Sequence, residues 1–142
     1  MKAQHPLFKK VNHIGVVVKD LQETLNSYTK GLGIGEEKIV EIPDVQLKIG
    51  ILKIGEIEIE LLQYGNPDLP VVKALNGDRP GLNHICYEVE DFEEAMERLK
   101  ANGFRLLKGF PRKGVHGRIA FFIPPYCSEE RIEILEAEST HG

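Results

Sequence analysis

The sequence has no tryptophan, only two cysteines and no surplus of positive charge. Lys and Arg number 18 against 22 Asp and Glu, for a formal net charge of −4. Binding a phosphate backbone needs an excess of cations, so nucleic acid is excluded as the main partner. No apolar run approaches the roughly 20 residues that span a bilayer, so no membrane partner is expected. Met1 to Lys10 is polar and lacks the apolar core of a signal peptide. Cys86 and Cys127 form no close pair and read as reduced thiols, which points to the cytoplasm. The missing tryptophan excludes little. What is present is 142 residues of which 42% are hydrophobic, enough for one compact domain or two small repeated units.

The chain repeats itself. Val11-Asn12-His13-Ile14-Gly15-Val16-Val17-Val18-Lys19-Asp20-Leu21 matches Leu82-Asn83-His84-Ile85-Cys86-Tyr87-Glu88-Val89-Glu90-Asp91-Phe92, 71 positions on. Asn, His, Ile, Val and Asp recur in place. Ile59-Glu60-Leu61-Leu62 likewise resembles Ile132-Glu133-Ile134-Leu135, 73 positions on. Each half therefore opens on an Asn-His-Ile strand and closes on an Ile-Glu-apolar strand.

Between these ends the periodicities agree. Val11–Val18 is short and β-branched, which predicts a strand. Asp20 is placed as an N-cap with Glu23 three residues on, and Leu21, Leu25 and Tyr28 follow at helical spacing. Gly31 and Gly33 stop this helix. Asp91 and Glu94 play the same parts ahead of the stripe Phe92, Ala95, Met96 and Leu99, and Asn102-Gly103 ends it. Strands are expected over about 38–42, 46–54 and 56–63, with a tight turn at Ile54-Gly55-Glu56. In the second half they fall over about 105–108, 117–123 and 131–136. Residues 65–81 are polar and rich in Pro and Gly, with a helical patch near Val71–Leu75. The pattern is βαβββ twice: module 1 over about 11–64, a linker over 65–81, and module 2 over about 82–137.

Strand alternation sets the faces. Ile57, Ile59 and Leu61 oppose Glu58 and Glu60; Ile132 and Ile134 oppose Arg131 and Glu133. Ile14, Val16 and Val18 oppose His13, and Ile85, Tyr87 and Val89 oppose His84. One face of each sheet must pack under its helix, and the other carries one His and one Glu. If the first and last strands of a half are neighbours, its His and Glu sit side by side. Two such sheets face to face would gather His13, Glu60, His84 and Glu133. Two imidazoles and two carboxylates suit Co²⁺, Ni²⁺, Zn²⁺, Mn²⁺ or Fe²⁺, and the set is too nitrogen-rich for Ca²⁺ or Mg²⁺.

These residues resemble the vicinal oxygen chelate superfamily over about Val11 to Glu136. Within it the chain looks most like the methylmalonyl-CoA epimerases and, next, glyoxalase I (lactoylglutathione lyase). The epimerase-like stretches are His13–Leu21, Gly55–Leu62, Gly81–Val89 and the turn into a short helix at Asn66–Leu75. The most discriminating is Pro111-Arg112-Lys113-Gly114-Val115-His116-Gly117, which resembles a Pro-Arg-x-Gly-x-His-Gly loop. The resemblance implies an α+β fold in which paired βαβββ modules form one domain over 1–142 with a metal-binding cup. It places the metal ligands on His13, Glu60, His84 and Glu133, and implies a homodimer acting on an acyl-thioester.

Both activities remove a proton next to a carbonyl, and a divalent metal stabilises the enolate charge. The ligand set does not separate them. Ring-cleaving dioxygenases leave open the position that Glu60 would fill, and drug-sequestering resistance proteins of the superfamily lack the ligands. Two departures stand out. Pro124-Pro125-Tyr126-Cys127-Ser128-Glu129-Glu130-Arg131 replaces a short Pro-Lys-Ser-x-x-Gly-Val-Leu pattern, so it is expected to reshape the mouth of the site. The middle strand, Val45-Gln46-Leu47-Lys48-Ile49, has no carboxylate where some epimerases carry a base, so proton transfer falls to Glu133 with Glu60. Arg112, Lys113 and Arg118 are candidates to grip coenzyme A phosphates or a carboxylate. His116 joins them on the loop pattern alone. Cys86 and Glu88 share the face of His84, Lys9 and Lys10 read as surface charge, and His5 and His141 fall in termini expected to fray.

Overall fold

A computed structural model of the chain describes residues 6–137; His5 and His141 lie outside them. The described residues form nine strands and three short α-helices, the mixed α+β class expected. The described residues divide into two compact units, 12–85 and 6–11 with 86–137.

The 12–85 unit holds β1 (Phe8–Val17) from Asn12 onward, α1 (Leu21–Asn26), β2 (Glu36–Ile42), β3 (Leu47–Ile54), β4 (Ile57–Tyr64), α2 (Pro70–Ala74) and the start of β5 (Gly81–Val89). Its sheet runs β2-β3-β4-β1. Neighbours β2–β3 and β3–β4 are antiparallel. Gly55 and Glu56 join β3 to β4, with Gly55 at φ +61°, the left-handed conformation such a tight turn takes. β4 returns parallel to β1, pairing His13 with Glu58 and Gly15 with Glu60.

The Asp20 side chain accepts from the Glu23 amide at 3.0 Å and starts α1. The helix then widens into a π-turn over Ser27–Gly31. Leu21 and Leu25 pack on Leu52 and Leu61, with Val16, Val18 and Ile59 against them, the helix-facing side read from alternation. Gly50 admits the helix closely, since a Cβ there would stand 3.0 Å from a Leu21 methyl.

The opposite face departs from expectation. It is itself a core, with Val17, Leu47, Ile49, Ile51 and Leu62 buried together and Val40, Ile42, Val45 and Tyr64 packed on them. Burying side chains such as Ile51 and Leu62 contributes about 2 kcal/mol each. His13 and Glu60 are therefore set among hydrocarbon, and the middle strand offers that face Leu47, Ile49 and Ile51.

The second unit contains the rest of β5, α3 (Phe92–Ala101), β6 (Arg105–Leu106), β7 (Arg112–Lys113), β8 (Arg118–Ile123) and β9 (Arg131–Glu136). Its order is β5-β9-β8-β6, with β7 also on β8. Asp91 caps α3 by accepting from the Glu94 amide at 3.0 Å. Phe92, Ala95, Met96 and Leu99 pack on Val89, Ala120, Phe122 and Ile134, the stripe read from the sequence.

Two of the boundaries that moved have a visible cause. β1 begins at Phe8 rather than Val11, because Leu7 is buried and Lys9 and Lys10 pair with Glu90 and Glu88 at 3.2 and 3.4 Å. Both lysines stay exposed, so these are ion pairs between surface charges. β6 is two residues long because the chain turns at once, the Phe110 amide donating to Leu107 at 3.3 Å and Gly109 adopting φ +92°.

Candidate metal centre

In the 12–85 unit three of the four expected ligands come together. His13, Glu60 and His84 are buried, at 4, 5 and 4% exposure. The Nε2 atoms of His13 and His84 stand 3.3 Å apart, with the rings edge to face. The Glu60 carboxylate lies 3.4 Å from His13 Nδ1. Each imidazole presents its Nδ1 to the preceding asparagine: His13 to Asn12 Oδ1 at 2.8 Å, and His84 to Asn83 Oδ1 at 2.7 Å.

The spacing tests whether a divalent cation fits. Two imidazole nitrogens about 2.1 Å from one ion are separated by about 3.0 Å at a right angle and about 3.4 Å at the tetrahedral angle. The observed 3.3 Å lies in that window. The donor set suits a borderline-soft divalent metal, and burial removes the water that would otherwise compete for the ligands.

Glycine makes the arrangement possible. A Cβ on Gly15 would fall inside the His84 ring, meeting Cε1, Nε2 and Nδ1 at once. Gly15 is also the register partner of Glu60. The strand thus has no side chain at the one place where the ring must lie.

Glu133 belongs to the other unit. It sits in β9 opposite Phe121, is 4% exposed, and its carboxylate lies within 4.8 Å of the Cys86 thiol. Cys86 is fully buried and takes the place that Gly15 has in the first half.

The Pro111–Gly117 segment is a β-hairpin arm, not a plain loop. Arg112 and Lys113 pair with Ile119 and Arg118, and the Gly114 amide donates to Gly117 at 2.7 Å. His116 is at its tip, and Arg112 and Lys113 are exposed. The Arg112 guanidinium covers the Phe110 ring at 4.9 Å and its Nε donates to the Gly109 carbonyl at 3.3 Å.

Arg118 has another task. It bonds Glu136 at 2.9 Å and Glu93 at 2.8 Å and stacks on Phe92 at 4.2 Å. The Glu136 hydrogen bond raises its already high pKa, burial opposes this, and Glu93 adds to the rise. It ties β8 to α3 and β9. The Pro124–Glu130 departure is knotted by Arg131, 5% exposed, which donates to the Ser128 and Glu130 carbonyls at 2.7 and 2.8 Å. Burial pushes the pKa of Arg131 down, and nearby Arg105 adds to this.

Residues 12–122 match the family model of the glyoxalase/bleomycin resistance protein/dioxygenase superfamily. The chain belongs to that superfamily. Among superfamily relatives, ethylmalonyl-CoA/methylmalonyl-CoA epimerase of Cereibacter sphaeroides is 33% identical over 82% of this chain and 88% of its own. Mitochondrial methylmalonyl-CoA epimerase of Mus musculus is 28% identical over 93% of this chain and 76% of its own. A solved Streptomyces coelicolor methylmalonyl-CoA epimerase in complex with 2-nitronate-propionyl-CoA superposes with a TM-score of 0.77 at 25% identity, covering 95% of this chain and 99% of that one. The glyoxalase-like fold of the superfamily is the one found here.

Three contributors escaped the sequence reading. Asn12 and Asn83 were visible only as repeated letters. Gly15 was readable as the place where the repeat breaks, Gly against Cys86.

Proposed function

We propose that this chain is a metal-dependent epimerase of the methylmalonyl-CoA type, interconverting the two configurations of a 2-substituted malonyl thioester of coenzyme A. The observation that carries this reading is the buried pair of imidazole Nε2 atoms 3.3 Å apart, with the Glu60 carboxylate 3.4 Å from Nδ1 of His13, in a chain whose relatives across most of its length are epimerases. Those relatives favour the epimerase over glyoxalase I.

The proposed ligands are His13, Glu60 and His84, with Glu133 as the fourth, assigned from the repeat and the family likeness. When bound, a divalent ion supplies Lewis acidity that stabilises negative charge growing on the thioester oxygen as the α-proton leaves. Its identity among Co²⁺, Ni²⁺, Zn²⁺, Mn²⁺ and Fe²⁺ is left to metal analysis. Glu60 and Glu133, one from each half of the repeat, are the proposed acid and base, one removing the proton and the other returning one to the opposite face. Arg112 and Lys113, with His116 at the hairpin tip, are the proposed contacts for the coenzyme A phosphates. Arg118 is left out, since two carboxylates already engage it.

No described helix is long and apolar enough to cross a membrane. A cytoplasmic homodimer is the proposed working form, on the family likeness, and sedimentation tests the dimer. The deciding assay is paired: methylmalonyl-CoA is incubated with the protein in deuterated water, and the methylglyoxal–glutathione adduct is supplied separately. Deuterium uptake at the α-carbon without turnover of the adduct is expected. Turnover of the adduct without uptake would move the assignment to glyoxalase I.

A further inference from the structure

We propose that Asn83 is a positioning residue that holds His84 in the tautomer with its proton on Nδ1, and that the turn closing α2 fixes Asn83 in that role. The consequence for metal binding rests on the reading above; the tautomer itself does not.

Asn83 is buried at 6% exposure. Its side-chain nitrogen lies 2.9 Å from the Leu75 carbonyl oxygen and 3.4 Å from that of Asn76. Carbonyl oxygens only accept, so the amide must turn its NH₂ toward them. This chemistry, not an arbitrary choice between oxygen and nitrogen, sets which way the amide faces. Its Oδ1 is then the atom 2.7 Å from His84 Nδ1. An amide oxygen accepts and never donates, so Nδ1 carries the proton. In the neutral ring the lone pair is left on Nε2, the atom 3.3 Å from its counterpart on His13. Asn83 thereby selects which nitrogen is able to bind a cation.

The turn after α2 is shaped for this. The Leu75 and Asn76 amides donate back to Val71 and Lys73, each at 3.0 Å, and the Gly77 amide donates to Val72 at 2.8 Å. Asn76 adopts φ +57°, a left-handed conformation that asparagine tolerates better than most residues. A Cβ on Gly77 would approach the Tyr64 ring to 2.6 Å. The segment read from sequence as a linker thus supplies both acceptors that orient Asn83. The His84 ring rests over Gly15. The ring is held by a hydrogen bond at one nitrogen and by an absent side chain beneath it. Outer partners of this kind typically govern 10–100-fold in metal affinity.

The test begins with unmodified, metal-free protein carrying ¹⁵N-histidine. Long-range ¹H–¹⁵N spectra, with His84 assigned by its loss in His84→Ala, are expected to show a protonated Nδ1 and an unprotonated Nε2. A proton on Nε2 would overturn the proposal. The second measurement is Zn²⁺ affinity by chelator competition in Asn83→Leu, with circular dichroism as the folding control. A folded variant is expected to bind about 10–100-fold more weakly, and equal affinity in a folded variant overturns the proposal. If Asn83→Leu does not fold, the tautomer in the unmodified protein decides. Unmodified protein that shows the Nδ1–H tautomer but takes up no Zn²⁺ refutes the metal reading and leaves the assignment of Asn83 standing.

Discussion

Gly15 lies directly beneath the imidazole of His84, and any Cβ at position 15 would occupy the ring's own space. Its backbone is outside the left-handed region, so room, not φ, is what demands glycine. Gly15→Ala is expected to leave the fold intact and displace His84. Metal affinity should fall about 10–100-fold, the range for disturbing ligand orientation. Chelator competition measures this, and unchanged affinity would show that the ring has another resting place.

Elemental analysis of protein purified without added metal is expected to find close to one divalent ion per chain. Glu60→Ala and His84→Ala should each lose it. Full occupancy in both variants would remove these residues from the ligand set. Chelator treatment should abolish epimerisation, and adding back one of the candidate metals should restore it.

Glu60 and Glu133 are expected to divide the proton transfers. Replacing either by Gln keeps an oxygen available as a ligand but removes the base. Interconversion of the two configurations should fall about 10²–10⁴-fold. Uptake of deuterium by one configuration should outlast interconversion in each variant, with opposite preference. Full interconversion rates in Glu133→Gln would exclude it as acid or base.

Arg112 and Arg118 should differ in their effect on KM. Arg118→Ala removes partly exposed ion pairs and one stacking contact, so thermal unfolding should report a cost of about 1 kcal/mol or less, with KM unchanged. Arg112→Ala should raise KM for the coenzyme A thioester, at a similarly small cost in stability for its lost contacts with Phe110 and Gly109. A raised KM in Arg118→Ala with KM unchanged in Arg112→Ala would relocate phosphate binding to Arg118.

Most of the fold was legible because it is periodic and repeated. The Asp20 and Asp91 caps, the α1 and α3 stripes and the Gly55-Glu56 turn all follow from local chemistry that needs no tertiary context. The placing of His13 and Glu60 on one face was legible for the same reason: alternation assigns a face, and parallel pairing of β1 with β4 brings the faces into line. Three things were not legible. Alternation separates two faces but does not tell a wet face from a second core, so the packing of Val17, Ile49, Ile51 and Leu62 around the site was missed. The partners of Arg118 lie 18 and 25 residues away in sequence, beyond any local pattern. The link from Leu75 through Asn83 to His84 depends on where the turn after α2 points its carbonyls, which composition does not encode.

The guanidinium of Arg131 carries a consequence for variation in this protein. It clasps the backbone of Ser128 and Glu130, yet it is itself the first residue of β9, two places before Glu133. The Pro124–Glu130 segment and the strand bearing Glu133 are thus mechanically one piece. Loop exchange that keeps Arg131 and its two acceptors should alter which thioesters are accepted without shifting Glu133. An exchange that removes them would act as a lever on that carboxylate, and a change of substrate preference would come bundled with a loss of turnover.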